Sequence, residues 1–411
     1  MYFHRHIEDV IKRISKRKPA IVLTGARQVG KSTMLENTLA DIGKISLNRP
    51  LIRNSAKENP SLFFEQYKPP VIVDEIQKAP ELFDYIKDII DEEGAEKTGE
   101  FYLTGSQSQK LMEHVSDSLA GRAGLIKMLG ISCRELDSIN YRKPFKPTLE
   151  YIEGISMECS PLDYEMLISR IHKGFFPELY KTESNLDDWN DYYNSYFQTY
   201  IEKDVKEVLN IKDELAFIKF VRACASLTGE LLNYVTLAEM CGKDVGTVKA
   251  WLSVLASSGL VYILEPYHNN ITKRLIKSPK LYFLDTGLAC WLLGWNTPTQ
   301  LVNGAMWGHI FETFVFGEIL KSYYNDGKST PQIFFYRDTD KNEIDLLIKD
   351  GDVLHPIEIK TTGDPNKSMV TGFAQLSKIP DMVAGSGAVI CLSKNVLPLK
   401  EGVTILPANM I

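Results

Sequence analysis

The feature that most constrains the fold is a glycine-rich turn between an apolar strand and a helix. The segment AIVLTGARQVGKST covers residues 20–33, in which Gly25 is followed after four residues by Gly30, Lys31 and Ser32. Strand, turn and helix in this order are the context that a phosphate-binding P-loop requires. Glycines let successive backbone N–H groups point inward at a helix N-terminus, where they bind phosphate oxygens. The sequence therefore predicts a nucleotide site at this turn.

Side chains at the end of the turn are suited to the phosphates of a nucleotide and to Mg²⁺. Lys31 supplies a positive charge to the β- and γ-phosphates, and the Ser32 hydroxyl is a ligand for Mg²⁺. We include Thr33 with Gly25 and Gly30 among the nucleotide-binding residues. The predicted cofactors are ATP and Mg²⁺. A chance glycine-rich turn is the alternative, and the match on both sides of the turn disfavours it.

A second apolar strand, about forty residues later, ends in two carboxylates. Residues 71–73 are followed by Asp74 and Glu75. At the strand tip Asp74 can hold the Mg²⁺ shell, and Glu75 can orient and deprotonate the attacking water. Without the P-loop, such an acidic pair is more often a solvated turn.

A third apolar strand, residues 101–103, ends in Thr104, Gly105 and Ser106. Hydroxyls at this end of a neighbouring strand could sense the γ-phosphate, and we count Thr104 among the nucleotide-binding residues. A helix cap or a turn explains the same residues equally well. Both alternatives stay open.

An arginine lies between two glycines in the segment that follows. Arg122 is flanked by Gly121 and Gly124. A positioned guanidinium offsets the charge that builds up in phosphoryl transfer, whereas a structural ion pair is the other explanation. If Arg122 reaches the nucleotide of a neighbouring copy, the protein must form a homo-oligomer to turn over.

Four of these segments resemble a known family. GARQVGKST, VIVDEIQKAP, FYLTGSQS and SLAGRAG are similar to the motifs of the AAA_14 ATPases, in which the ATPase domain precedes a DUF4143 region. The resemblance covers nearly the whole chain and implies an AAA-like ATPase core with Arg122 as its arginine finger.

The order of apolar runs predicts an α/β chain with several domains. A parallel sheet with crossover helices is indicated by short β-branched runs that alternate with helical patterns. We predict its strands at residues 20–24, 44–47, 71–74, 101–104 and 125–128. The predicted domains are an AAA-like ATPase core (1–140), a helical segment (141–215), a winged helix (216–290) and a nuclease-like domain (300–411). Residues 140–154 are the predicted linker because they contain Pro144, Pro147 and Gly154.

The middle of the chain has the pattern of a helix-turn-helix. A short helix at residues 237–242 ends at a glycine, and a second at 245–258 has an apolar face of Val248, Trp251, Leu252 and Leu255. Thr247, Lys249 and Ser253 are predicted to be exposed on it, as in DNA-binding helix pairs.

Two strands and a connecting wing are predicted to follow, at residues 260–264 and 280–284. The wing carries Lys273, Arg274, Lys277 and Lys280, which could lie along phosphates. A winged helix that binds protein is the alternative, in which these cations are merely solvated.

The C-terminal block places two carboxylates and a lysine on adjacent strands. Asp345 lies in one predicted strand, and Glu358 and Lys360 share one face of the next. Carboxylate oxygens hold Mg²⁺, the metal lowers the pKa of a bound water, and Lys360 positions that water or stabilises charge. Glu312 would support the metal from a helix.

This order resembles the PD-(D/E)xK nuclease family, so the expected C-terminal fold is restriction-endonuclease-like. The chain departs from the family at Ile344, where proline is common. An acidic edge of a sheet without activity is the alternative, and such domains can survive as nucleic-acid-binding folds.

Charge and cysteine content limit the classes of function. A net charge of -6 argues against bulk coating of nucleic acid, so contacts with nucleic acid, DNA being favoured, must use local basic patches. Six scattered cysteines without a C-x-x-C spacing favour reduced thiols and a cytoplasmic location. No apolar stretch is long enough to span a membrane.

Three functions remain open at this point. The first, which we favour, couples ATP hydrolysis to nucleic-acid binding or cleavage. The second is an ATP-gated DNA-binding switch with an inactive nuclease-like domain. The third is an ATPase that remodels a protein through the stripe of Tyr192, Tyr193, Tyr196 and Tyr200, although such a stripe is more often core.

Overall fold

The computed structural model forms two compact units. It describes residues 1–93, 97–106, 109–181, 185–199, 213–268, 278–338, 340 and 342–411. Unit 1 comprises Met1–Ile131 with Ser257–Gly259 and Tyr324–Ser329, and unit 2 comprises Ser132–Ala256, Leu260–Tyr323 and Thr330–Ile411. The finer domain boundaries at residues 140, 215 and 290 stay predictions.

Unit 1 contains a five-stranded parallel sheet in the order β2-β3-β4-β1-β5. Its strands are β1 (Ala20–Gly25), β2 (Gly43–Ser46), β3 (Val71–Asp74), β4 (Phe101–Ser106) and β5 (Ala123–Lys127). Its helices are α1 (Ile7–Ser15), α2 (Lys31–Thr38), α3 (Pro50–Glu58), α4 (Pro60–Gln66), α5 (Glu81–Glu93) and α6 (Gln109–Ser118), with a 3-10 turn at Ile76–Lys78. Every residue of β1 and β3 is buried, because central strands of a parallel sheet are covered on both faces. The predicted sheet is confirmed.

A buried arginine holds the P-loop to the rest of unit 1. The guanidinium of Arg5, 3% exposed, donates to the carbonyl oxygens of Val29 (3.0 Å), Leu129 (2.9 Å) and Gly130 (3.0 Å). Val29 lies in the P-loop, and the other two carbonyls follow β5. One side chain thereby fixes the segment before α1 to both sides of the nucleotide-binding turn.

Unit 2 begins with helices that the sequence pattern predicted only in part. They are α7 (Cys133–Leu136), α8 (Leu149–Glu158), α9 (Tyr164–Lys173), α10 (Leu186–Tyr196), α11 (Glu214–Ser226), α12 (Tyr234–Cys241), α13 (Val245–Ser257), α14 (Thr286–Leu292), α15 (Pro298–Asn303) and α16 (Trp307–Tyr324), with 3-10 segments at Pro177–Tyr180 and Lys367–Lys378. The linker predicted at 140–154 is wrong in its second half. Thr148 caps α8 there by accepting from the N–H of Tyr151 (3.3 Å), and α8 buries Tyr151, Ile152 and Ile155.

The middle of unit 2 pairs two helices with a small antiparallel sheet. The sheet has the order β6-β8-β7, with β6 (Glu230–Leu231), β7 (Val261–Leu264) and β8 (Lys280–Phe283). Helix α12 ends at Gly242, whose φ of 66° is left-handed. The predicted helices and strands are therefore present, and their identification as a winged helix stays a prediction. Lys273, Arg274 and Lys277 of the wing lie outside the described residues.

The tyrosine stripe belongs to the core of unit 2. Tyr193 and Tyr196 are fully buried on α10. The hydroxyl of Tyr193 donates to Asp285 Oδ1 (2.7 Å). Tyr200 lies outside the described residues. The described tyrosines therefore favour a packing role over a partner surface.

The last part of unit 2 is a mixed sheet in the order β14-β15-β13-β11-β10-β9, with β12 beside β11. Its strands are β9 (Ile333–Arg337), β10 (Glu343–Asp350), β11 (Val353–Lys360), β12 (Val383–Ala384), β13 (Gly387–Cys391), β14 (Leu397–Lys400) and β15 (Val403–Pro407). Strands β10 and β11 are antiparallel, with Leu346 opposite Ile357. The prediction that they are neighbours is confirmed.

Among the described helices, none is both long and apolar enough to cross a membrane.

The role of Arg5 gives the first prediction. Arg5→Ala removes the donor of three carbonyl groups, so the free energy of unfolding should fall by about 3 kcal/mol. Urea unfolding followed by circular dichroism measures this change. Arg17→Ala, an exposed arginine after α1, is the matched control and should unfold like the wild type. An Arg5→Ala protein as stable as that control would contradict the prediction.

Candidate functional site

Close backbone contact requires the first glycine of the P-loop. A Cβ atom at Gly25 would lie 2.2 Å from the carbonyl oxygen of Met128, closer than any side chain tolerates. Gly30 has a φ of 94° and begins α2, so its conformation also favours glycine. The two glycines predicted from the sequence therefore both serve the geometry of the turn.

Lys31 lies inside this turn. Its ammonium donates to the carbonyl oxygens of Gly25 (2.9 Å) and Ala26 (2.8 Å), and the residue is only 6% exposed. Burial lowers the pKa of Lys31 to about 8. A partly desolvated ammonium at a helix N-terminus is suited to bind phosphate oxygens.

The carboxylate of Asp74 collects hydroxyl donors from three elements. Ser32 of α2 and Thr104 of β4 (2.6 Å) donate to Oδ1, and Ser46 of β2 donates to Oδ2 (3.1 Å). Ser32 and Asp74, each predicted from the sequence as a Mg²⁺ ligand, are therefore in contact. Thr33 lies exposed on the same first turn of α2.

Thr104 lies behind Asp74. It is fully buried, donates to Asp74, and accepts from the backbone N–H of Glu75 (3.2 Å). Its hydroxyl is therefore engaged with the carboxylate-bearing turn. Ser106, two residues further along β4, is the partly exposed hydroxyl at the strand end.

The residues around Asp74 suit a divalent cation bound to a nucleotide. A serine hydroxyl and a carboxylate in contact are the pair of oxygen ligands that P-loop proteins offer to Mg²⁺. Ser32 and Asp74 would hold the ion, which neutralises phosphate charge during hydrolysis. Across the described ranges, no three side chains of His, Cys, Asp or Glu converge as a metal-holding group.

Gln77 and Ser46 were missed by the sequence analysis. The Gln77 side-chain amide donates to Glu75 Oε2 (2.5 Å) and to Ser106 Oγ (3.2 Å). Ser46 holds the second oxygen of Asp74. The position of Gln77 in the DEIQ segment, next to the carboxylates, was a sequence signal that could have identified it. Ser46 had no such signal, because the register of β2 beside β3 places it.

Arg122 lies at the opposite edge of the sheet from the P-loop. It directly precedes β5, where Ala123 pairs with Ala20 at the start of β1, whereas the P-loop follows the end of β1. Its guanidinium donates to both carboxylate oxygens of Asp91 (2.7 and 2.8 Å). The structure therefore does not bring Arg122 to Lys31 of the same chain.

The predicted C-terminal cluster converges in unit 2. Because Leu346 is opposite Ile357, Asp345 and Glu358 lie across from each other on β10 and β11. The ammonium of Lys360 is 2.6 Å from Glu358 Oε1 and 3.5 Å from Asp345 Oδ2. The backbone N–H of Ile359 also donates to Asp345 Oδ2 (2.8 Å).

Glu312 of α16 lies beside this cluster but is held by other partners, so among the described residues it does not complete the predicted set of three metal ligands with Asp345 and Glu358. Its Oε1 atom accepts from Lys280 (3.0 Å) and from the hydroxyl of Tyr282 (2.5 Å), both on β8. Lys280, 3% exposed, also pairs with Glu343 (2.8 Å). The prediction that Lys280 lies along phosphates is wrong, because β8 turns its ammonium inward to these carboxylates.

Burial and mutual repulsion raise the pKa of two carboxyl groups, one in this cluster and one beside it. Burial, then the charge of Asp345, raise the pKa of Glu358 to about 8. Burial likewise raises the pKa of Glu312 to about 7, against the opposing effect of Lys280. Oxygens of Asp345 and Glu358 are of the kind that Mg²⁺ prefers, and they would hold it beside Lys360.

Three family models match successive parts of the chain. An AAA domain model, AAA_14, matches residues 17–137, and a domain of unknown function, DUF4143, matches residues 307–411. Another domain of unknown function, DUF8612, matches residues 164–299, which contain the helix pair and the small sheet. The predicted AAA_14 and DUF4143 regions are confirmed.

Similar proteins and structures extend over most of the chain. The uncharacterized proteins Mb2031c of Mycobacterium bovis and Rv2008c of Mycobacterium tuberculosis are each 26% identical over 408 residues, which are 98% of this chain and 82% of theirs. The Walker-type ATPase PABY2304 of Pyrococcus abyssi is 15% identical over 71% of this chain and 96% of its own, with a TM-score of 0.39. AMPPCP-bound DnaA from Aquifex aeolicus is 14% identical over 61% and 85%, with a TM-score of 0.30. Scores this low leave the assignment to the family models and the P-loop geometry.

The lowered pKa of Lys31 predicts how nucleotide affinity depends on pH. The triphosphate favours the ammonium form, so ATP affinity should be level below about pH 8 and fall by up to about tenfold per pH unit above it. Titration calorimetry from about pH 7 to 9.5 measures this dependence. Lys31→Met should bind ATP weakly at every pH, and Lys16→Met, at an exposed position after α1, is the control. Tight, pH-independent binding by Lys31→Met would show that the site is misassigned.

Proposed function

Because this chain belongs to the P-loop ATPases, with an AAA_14 domain followed by a DUF4143 domain, we propose that it couples ATP hydrolysis in unit 1 to action on nucleic acid by unit 2. The proposal includes cleavage of phosphodiester bonds at the cluster of Asp345, Glu358 and Lys360. DNA is the favoured substrate, and Mg²⁺ is the proposed metal at both sites.

The convergence of Asp345, Glu358 and Lys360 carries this proposal. Two carboxylates that face each other across paired strands can hold a divalent cation, which supplies an activated water. Lys360 lies within 3.5 Å of both carboxylates, so its ammonium can stabilise negative charge on the phosphate. Burial and the charge of Asp345 raise the pKa of Glu358. A bound cation would offset the repulsion between these two carboxylates.

The helix pair supports contact with nucleic acid. Helix α13 buries Val248, Trp251, Leu252 and Leu255 and leaves Lys249 and Ser253 exposed. A helix anchored in this way, beside an antiparallel sheet, can enter a major groove. The acidic net charge of the chain confines such binding to local basic surfaces.

A second function is favoured by one specific observation. Glu312 already accepts from Lys280 and Tyr282, so a resident ammonium neutralises the acid that would be the third ligand. An ATP-gated switch that binds DNA without cutting it would show this balance of charge. Remodelling of a protein partner has less support, since the described tyrosines of α10 are packed.

We further propose that Arg122 acts on the nucleotide of a neighbouring copy. Its place at the sheet edge away from the P-loop suits an arginine finger supplied between protomers. Homo-oligomerisation would then be needed for turnover.

A cytoplasmic location also stays a proposal, supported by six buried free cysteines.

Cleavage of plasmid DNA with Mg²⁺ or Mn²⁺ tests the cluster. Asp345→Ala removes a metal ligand and should abolish cleavage, while ATP turnover stays near that of the wild type. Lys360→Ala should reduce cleavage and leave metal binding largely intact, since an ammonium is not a ligand. Asp352→Ala, an exposed carboxylate in the turn between β10 and β11, is the matched control.

Two outcomes would count against cleavage at this site. Wild-type protein that binds DNA but cuts neither DNA nor RNA with either metal makes the ATP-gated switch the better explanation. Cutting that persists in Asp345→Ala points to a contaminant or to another site.

The pair of Arg122 and Asp91 allows a test of the arginine finger. Arg122→Ala should lower kcat and leave ATP affinity unchanged, whereas Asp91→Ala keeps the guanidinium and should retain turnover. Specific activity of the wild type should rise with protein concentration as the complex forms. Equal losses in both variants, with activity independent of concentration, would assign Arg122 to a structural ion pair.

A further inference from the structure

The side chain of Gln77 connects the proposed catalytic base to the neighbouring strand. We propose that Gln77 is a positioning residue for ATP hydrolysis, which holds one oxygen of Glu75 so that the other oxygen can accept from the attacking water. The reaction is that of the P-loop ATPase domain and does not depend on the proposed action on nucleic acid.

Glu75 adopts a conformation that needs support. Its φ of 61° and ψ of 46° lie in the left-handed region of backbone conformation, which residues other than glycine and asparagine rarely adopt. The backbone N–H of Glu75 donates to Thr104 (3.2 Å), which fixes the turn to β4. Backbone strain of this kind persists where the surrounding structure imposes it, often at catalytic sites.

The amide of Gln77 uses both of its donors at this turn. Nε2 donates to Glu75 Oε2 at 2.5 Å and to Ser106 Oγ at 3.2 Å. The reverse orientation would place the amide oxygen against a carboxylate, and both groups would then be acceptors. The contacts therefore define the orientation of the amide and leave the other oxygen of Glu75 available for water.

The oxygen of the same amide lacks a hydrogen-bond partner among the described residues. Gln77 Oε1 is buried, and no donor reaches it within the described part of the chain. A buried amide oxygen without a partner costs free energy. The two hydrogen bonds donated by Nε2 offset this cost and hold the amide in place.

Glycine at position 105 makes room for this arrangement. A Cβ atom at Gly105 would lie 2.7 Å from Gln77 Oε1. Thr104 and Ser106 on either side each bind the turn that follows β3. Thr104 and Ser106 thus hold the turn that carries Glu75 and Gln77, and Gly105 leaves space for the Gln77 side chain.

The proposed role fits the chemistry of hydrolysis. The water oxygen forms a bond to the γ-phosphorus as the bond to the β–γ bridging oxygen breaks and ADP leaves. One proton of the water passes to Glu75 and the remaining hydroxyl becomes part of the released phosphate, while Gln77 Nε2 keeps its hydrogen bond to the other oxygen of Glu75. A carboxylate held in one position defines the direction of attack, and misplacement of a reacting atom by about 1 Å can cost about 100-fold in rate.

Steady-state ATP hydrolysis and nucleotide affinity test this role in the full chain. Gln77→Ala and the similarly shaped Gln77→Met should lower kcat by about 10- to 100-fold and leave ATP affinity within twofold of the wild type. Gln66→Ala, at the exposed end of α4, is the matched control and should hydrolyse ATP normally.

A double-mutant cycle separates positioning from packing. Glu75→Asp shortens the base beyond the reach of Gln77, so adding Gln77→Ala to it should lower the single-turnover rate less than twofold further. Wild-type kcat in Gln77→Met, a parallel loss of ATP affinity in Gln77→Ala, or full additivity with Glu75→Asp would each overturn the proposal.

Discussion

The carboxylate of Asp74 is the group on which the nucleotide site depends. It accepts hydrogen bonds from Ser32, Ser46 and Thr104, which come from α2, β2 and β4. A buried carboxylate needs such donors, because removing a charge from water is costly. The same contacts that satisfy Asp74 therefore bring the P-loop helix and two neighbouring strands to one point. Glu75 and Gln77 lie in the turn directly after β3, the strand that ends with Asp74.

The acidic cluster of unit 2 solves a similar problem with different partners. Its carboxylates are neutralised by the ammonium groups of Lys280 and Lys360, whereas Asp74 is held by neutral hydroxyls. Hydroxyls leave the full negative charge available to a cation. Ammonium groups share it, so a metal at Asp345 and Glu358 must compete with or displace them.

Local sequence signals predicted the elements better than their partners. The strands of unit 1 were readable because apolar runs end in glycine or carboxylate, and Asp345, Glu358 and Lys360 were predicted together from strand alternation. Lys280 was misjudged because its sequence neighbours are basic, while its burial depends on α16 and β10, which are distant in sequence. Gln77 could not be assigned a role because its contacts depend on the register of β4 beside β3.

ATP hydrolysis measured with and without a DNA duplex tests the central claim most directly. The account predicts that bound DNA raises kcat of the wild type severalfold, while Glu75→Gln binds ATP and shows no turnover in either condition. The Glu75→Gln protein also shows that the measured activity belongs to this site. Wild-type turnover that is identical with and without DNA, at concentrations where a gel shift shows binding, would contradict the coupling of the two activities.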